Sequence, residues 1–323
     1  MFNIPLYIQY PEWIHPEVVP FLPVRWYAIM YIVAFYVTYR LFLVQIRKDH
    51  AIDMTKSEVQ DLFFYCILGL VIGARVFSCL FYSDGFYYLT HPWMMFWPFE
   101  NGMFVGLPGM SYHGGVVGCF IGGLIYAHKN KRSILHITDV VVTGIPLGYT
   151  FGRLGNFING ELYGRVSDAP FAIVFPRAEK LSTSYEWVRD IADGIGMDYV
   201  YGESLNLPRH PTQLYEALFE GLILFLLLWF VIRPLKYKKG LRNGTMFSFY
   251  LIGYGLFRFV IEYFRQPDAN IGYVIALGRE SWNIHVFTSF LNISKGQVFC
   301  SLMVLSGIVL LFVVSKFKVQ KYE

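Results

Sequence analysis

Gly152-Arg-Leu-Gly-Asn-Phe-Ile-Asn-Gly-Glu-Leu-Tyr-Gly164 sets an arginine, two asparagines and a glutamate among four glycines, just after the apolar run from Ile137 to Tyr149. The run reads as a helix in a bilayer, and polar groups are costly where such a helix leaves the hydrocarbon. Ionisable residues in spanning segments are rare and line cavities or pathways, so the stretch reads as a functional site within a membrane protein. Its glycines let backbone or ligand come close and permit backbone angles that other residues resist.

The whole chain agrees. Of 323 residues, 55% are hydrophobic and only 15% charged, against about 25% charged in soluble proteins. A spanning helix needs about 20 apolar residues, and seven runs qualify: Val24 to Val44, Val59 to Tyr82, Tyr112 to Ala127, His136 to Phe157, Thr212 to Ile232, Thr245 to Phe264 and Gln297 to Ser315. The expected fold is an all-α integral membrane protein, one multi-pass domain over 1–323. Fourteen of the 27 Lys and Arg fall in four short segments after the first, third, fifth and seventh runs, while residues 1–24 and 83–111 have none. The positive-inside rule therefore puts the N-terminus outside and the C-terminus in the cytoplasm. Placement by topology also accounts for the net charge of +4 without a nucleic-acid partner.

Cys66, Cys79, Cys119 and Cys300 all lie in apolar runs and read as small buried hydrophobes. No spacing suggests a metal site, and no cofactor is expected. Residues 1–23 lack the basic start and apolar core of a cleavable signal, so the first helix is expected to do the targeting. Between the helices, residues 83–111 are dense in aromatics and proline and read as an interfacial arm on the outer face. Residues 160–211, of mixed charge, read as an outer cap.

Within the helices, Gly69 and Gly73, with Gly118 and Gly122, give the small-xxx-small spacing of close helix packing. Pro146 should kink or loosen the fourth helix. Arg153 and Asn156 share a face if the helix continues that far, as do Arg258, Glu262 and Arg265. Tyr27, Arg75, His113, Arg153, Asn156, Glu161, His210, Glu216, Arg258, Glu262 and Arg265 all fall near the outer ends of their helices. A cavity at the outer leaflet explains that common depth. Guanidinium groups bind phosphate bidentately and stay charged when desolvated, so the expected ligand is anionic and a phospholipid is the natural candidate. No nucleotide-binding loop, zinc signature or serine nucleophile turn accompanies the constellation.

At these residues the chain resembles the bacterial prolipoprotein diacylglyceryl transferases. The resemblance rests on Gly152 to Gly164, Ser111-Tyr-His-Gly-Gly115, His210-Pro-Thr-Gln-Leu-Tyr-Glu216, Gly255-Leu-Phe-Arg258, Arg265-Gln-Pro-Asp268 and Arg25-Trp-Tyr27. It implies transfer of the diacylglyceryl group of phosphatidylglycerol to the lipobox cysteine of a prolipoprotein presented on its signal peptide, with release of glycerol phosphate. It also implies a bacterial plasma (inner) membrane location and a site facing the outer leaflet. On that footing Arg153 and Arg258 would hold the phosphate and Asn156 would fix the headgroup. His113 is the first choice of general base, ahead of Glu161 and Glu262. Tyr27, Gly164, Arg265, His210 and Arg75 complete the substrate-binding set. A phospholipid transporter or flippase would use the same arginines, but should show a polar path to the cytoplasmic leaflet; the intramembrane charge here is concentrated on the outer side.

Overall fold

Long apolar runs separated by charged turns give long helices, and a computed structural model describes them for residues 6–18, 25–49, 52–83, 85–100, 102–106, 109–267, 272–278 and 282–316. The helices are α1 (Trp26–Asp49), α2 (Lys56–Phe81), α3 (Tyr112–Lys129), α4 (Ile134–Val142), α5 (Ile145–Asn159), α6 (Glu186–Ile195), α7 (Thr212–Lys239), α8 (Thr245–Ile261) and α9 (Lys295–Lys316). Among the described residues, α1, α2, α7 and α9 are long and apolar enough to cross a membrane, and α4 with α5 makes a fifth if the pair is one span. The protein is thus a mainly helical, multi-pass membrane protein. Its chain forms two units, Met1–Leu41 with Val141–Glu323, and Phe42–Val140.

In the unit Phe42–Val140, Thr55 caps α2 in a reciprocal capping box with Glu58. Glu58 also pairs with Arg132 at 2.6 Å. The glycines of α2 and α3 meet: a Cβ at Gly73 would stand 2.7 Å from Gly118 Cα, and one at Gly122 3.3 Å from Cys66 Cα. Only bare backbone allows that approach. The segment after α2 forms a short helix, Gly85–Thr90, a 3₁₀ turn, Pro92–Phe96, and a hairpin pairing Phe99–Glu100 with Met103–Phe104. Arg75 ties it down from α2, donating through Nε to Met95 O at 2.5 Å and through Nη1 to Gly109 O at 3.2 Å.

The other unit contains α5, α7, α8 and α9. The expected continuous helix from His136 to Phe157 is broken at Thr143–Gly144. Gly144 takes the cap position and Pro146 sits in the first turn of α5, where its missing N–H costs nothing. Pro146 thus starts the second helix at a break across which the pair is bent by 52°, the disturbance that the proline forecast. Small residues again set the packing. A Cβ at Gly155 would touch Met30 of α1 at 3.3 Å, one at Gly255 would stand 3.0 Å from Cys300 O, and one at Gly307 2.9 Å from Ser248 O. Helix α7 carries two π-helical stretches, Ala217–Ile223 and Leu227–Ile232.

Residues 160–211 fold over short strands and α6. Val166, Leu181, Val188, Ala192 and Leu207 form their core, Leu181–Ser182 pairs with Ser204–Leu205, and the early strand Ile8–Gln9 pairs in parallel with Ile173–Val174.

Candidate active site

Glu216, in the first turns of α7, has 0% of its surface exposed. Three guanidiniums converge on it: Arg153 Nε at 2.9 Å from Oε2, and Arg258 Nη1 and Arg265 Nη1 at 2.5 and 2.6 Å from Oε1. A buried carboxylate is tolerated only when paired and hydrogen-bonded, and here one carboxylate meets three cations. Two further carboxylates complete the charge balance. Glu262 Oε2 lies 3.4 Å from Arg258 Nη2 and 3.6 Å from Arg265 Nε. Glu220, also 0% exposed, lies 3.6 Å from Arg258 Nη1. Tyr149 donates to Glu220 Oε2 at 2.6 Å and lays its ring under Arg153, 4.7 Å from centroid to Cζ.

Each group is held from a second side. Ser294, at the entry to α9, donates to Glu262 Oε1 at 3.0 Å. Glu262 joins Arg258 at i,i+4 and Arg265 at i,i+3, so α8 and its continuation present all three on one face. Glu220 lies in the first π-helical stretch of α7, a widened geometry that occurs frequently at functional sites. From Arg153 a second chain runs outward. Arg153 Nη1 donates to Asn156 Oδ1 at 3.5 Å, Asn156 Nδ2 to Glu161 Oε1 at 2.9 Å, and Asn159 Nδ2 to the same oxygen at 3.3 Å.

Gly160 ends α5 in the left-handed conformation at φ 65°, and the chain then folds back over α7. Gln213 Nε2 donates to Glu161 O at 2.6 Å and Thr212 Oγ1 to Leu162 O at 3.1 Å. Gly164 donates its N–H to His210 O at 2.8 Å and bridges Arg265. A Cβ there would stand 2.6 Å from Thr212 Cγ2 and 3.0 Å from His210 Cβ, so a side chain at this position would push Arg265 off its strand-like bridge.

This set of arginines, asparagines and carboxylates lies within the stretch of chain that a family model matches. The sequence model of the family described as prolipoprotein diacylglyceryl transferase matches residues 16–313. The chain belongs to that family. It is similar to proteins named phosphatidylglycerol–prolipoprotein diacylglyceryl transferase: 47% identical to that of Treponema denticola, over 94% of this chain and 93% of the relative; 44% to that of Treponema pallidum, over 97% and 96%; and 39% to that of Borrelia garinii subsp. bavariensis, over 99% and 97%.

For a diacylglyceryl transferase family member, the other candidate residues are placed as follows. Tyr27 Oη pairs with Tyr31 Oη at 2.8 Å and lies within electrostatic reach of Glu161 and Arg153. His210 packs edge-on against Phe264 at 5.1 Å and sits 3.1 Å through Nδ1 from Tyr215 Oη; burial pushes its pKa down to about 4, which keeps it neutral at physiological pH. Arg75 and His113 belong to the other unit. There Arg75 is buried on the backbone carbonyls described above, and His113 is exposed in the first turn of α3 with Nδ1 3.5 Å from Tyr82 Oη.

Sequence reasoning placed Glu216 among the polar residues but not at the centre, and it passed over Glu220 and Tyr149. Glu220 had a signal. It is a carboxylate one turn beyond Glu216 in an otherwise apolar run, which in a spanning helix is itself a pointer to function. Tyr149 had none, since an aromatic near a helix end is ordinarily part of the interfacial belt.

Proposed function

We propose that this chain transfers the diacylglyceryl group of phosphatidylglycerol to the thiol of a cysteine in a prolipoprotein, the first step of bacterial lipoprotein maturation. The observation that carries the reading is the family match over residues 16–313, falling on a site where three guanidiniums meet one buried carboxylate. The substrate sulfur attacks the glyceryl carbon, a C–S bond forms, and the C–O bond to phosphate breaks. Glycerol phosphate leaves, and the thiol proton passes to a base and finally to the departing phosphate.

In this reading Glu216 fixes Arg153, Arg258 and Arg265 with their desolvation already offset, and their remaining N–H groups receive the phosphate. Losing one such donor in a water-poor site costs on the order of 3 kcal/mol of transition-state stabilisation. His113 is the assigned general base, being exposed and of a residue type that exchanges protons near neutral pH. Glu262 is a weaker choice because Ser294 and two arginines occupy its oxygens. Glu161 is exposed and remains the second choice. Asn156 and Tyr27 border the headgroup, and Gly164 keeps Arg265 in place. His210 and Arg75 act by holding structure: His210 as a neutral packing group, Arg75 by fixing the arm.

All seven helical runs cross the bilayer in this reading, α3 and α8 included, with the N-terminus outside in a bacterial inner membrane and the site at the outer leaflet. The Lys and Arg distribution supports that orientation. The test incubates purified protein with phosphatidylglycerol and a lipobox peptide, following peptide mass and glycerol phosphate together, with a Cys→Ser peptide as control. A diacylglyceryl mass gain on the cysteine peptide alone, matched by released glycerol phosphate, is expected. Phosphatidylglycerol binding without any adduct would overturn the reading in favour of lipid transport.

A further inference from the structure

Beside the last turn of α5 lies a cavity of about 360 Å³, bordered by the early segment around Tyr10, Glu12 and His15, by Asn159 and Gly160, and by Arg177. Its wall is built and fixed. Tyr10 Oη reaches the carbonyls of Phe157 and Ile158 at 2.8 and 2.9 Å, which holds the early segment across the end of α5. The neighbouring Ile8–Gln9 is zipped to Ile173–Val174.

Asn159 is only 7% exposed. Its Nδ2 is committed to Glu161, while no described residue donates to its Oδ1. A buried amide oxygen left without a donor costs about 1–3 kcal/mol, so the site is shaped for a ligand that brings an N–H or O–H. The rim adds both signs of charge, Glu12 and His15 on one side and Arg177 on the other, all exposed. Inorganic phosphate can offer an O–H to the Asn159 oxygen, but its negative charge would face Glu12 at the rim. A polypeptide backbone alternates donor and acceptor along its length and satisfies both.

The cavity is also joined to the arginine cluster. Glu161 Oε1 accepts from Asn159 and from Asn156, and Asn156 accepts from Arg153. A chain held here therefore touches Asn159, which shares Glu161 with the Asn156 that accepts from Arg153.

We propose that this cavity is the acceptor subsite for the about two or three residues, at about 3.3 Å each, that follow the modified cysteine in the polypeptide substrate. The inference rests on the transferase reading above. It assigns to the early segment and Arg177 a role in selecting the acceptor, separate from the chemistry.

The test uses the full chain with phosphatidylglycerol and two lipobox peptides, one ending just after the cysteine and one extended by four residues. The wild type should show a KM about tenfold lower for the extended peptide, the worth of one or two hydrogen bonds. Arg177→Glu and Glu12→Lys should remove most of that advantage, leave the short peptide within about twofold, and leave kcat unchanged. Equal KM for both peptides in the wild type, or variants that slow both peptides alike, would overturn the subsite. A photoreactive residue placed two positions after the cysteine should cross-link to residues 10–16 or 176–177. Cross-linking elsewhere, or its suppression by added glycerol phosphate, would assign the cavity to the leaving group instead. Failure to modify either peptide sinks the transferase reading, while the cross-link still decides whether the peptide occupies this cavity.

Discussion

Glu216 meets Arg153, Arg258 and Arg265 with none of its surface exposed, so its charge decides whether three buried cations can share one site. Breaking a buried pair by removing one partner costs about 3–5 kcal/mol, because the other charge is left uncompensated. Glu216→Gln keeps the shape and loses the charge. We expect a clear fall in thermal stability in detergent and a loss of activity on the order of 10²-fold or more, read as kcat/KM in the peptide assay. Glu220→Gln should be milder, since a glutamine oxygen still accepts from Tyr149 and Arg258 retains Glu216; kcat should fall about tenfold with KM little changed. Equal stability and activity in both variants would mean that the hub is not where the guanidiniums are organised. His210 gives a test with a pH sign. Its folded pKa of about 4 lies below the ordinary 6.5, so the unfolded chain binds a proton that the folded chain refuses. Stability is fully present above about pH 6.5 and is lost as pH falls toward 4. In His210→Gln, the loss of melting temperature between pH 7 and pH 5 should be smaller than in the wild type.

The elements show how much the chain discloses before it is folded. Apolar length located the helices, and the glycine spacing on α2 and α3 forecast their close packing, because both depend on residue size and polarity along one element. Gly118→Leu should therefore force α2 and α3 apart. Overpacking of this kind costs typically about 1–3 kcal/mol, and the variant should show reduced folded yield in detergent against an unchanged Gly123→Ala control, whose added Cβ meets only Cys66 Sγ at 3.6 Å. What the sequence withheld lies between elements. Arg153 sits on α5, Arg258 on α8 and Arg265 just past it, and nothing in their spacing says that all three point at a carboxylate on α7. The break at Thr143–Gly144 was half legible: Pro146 signalled a disturbance, but whether proline kinks a helix or starts one depends on where the preceding glycine lets the first helix end. Gly164 was legible as a site of close approach; that Thr212, His210 and the Phe264 carbonyl are what approach it was not.

At the scale of the whole molecule, the proposed chemistry depends on sidedness, because a secreted protein presents its cysteine only on the outer face. The charge pattern makes a definite claim, since the short segments after alternate helices carry 14 of the 27 Lys and Arg, residues 1–24 and 83–111 carry none, and eight more fall in the longer outer segments 165–209 and 265–295, where the rule is weaker. It can be tested independently of activity. The native cysteines all lie within helices, so a cysteine-free background should fold, and single cysteines can then be placed at exposed positions. Trp13, Phe104 and Tyr201 are 79%, 74% and 72% exposed and fall in segments assigned outside, whereas Lys131 falls in a segment assigned inside. With a membrane-impermeant maleimide on intact cells stripped of their outer membrane, Trp13→Cys, Phe104→Cys and Tyr201→Cys should label at once, and Lys131→Cys only after the membrane is opened. Labelling of Tyr201→Cys only after opening would place residues 160–211 in the cytoplasm. The arginine cluster, which Gly164, Arg165 and Gln213 tie to that segment by backbone and side-chain hydrogen bonds, would then face the wrong leaflet for a secreted thiol, and the proposed acceptor would have to be abandoned even if phosphatidylglycerol were bound.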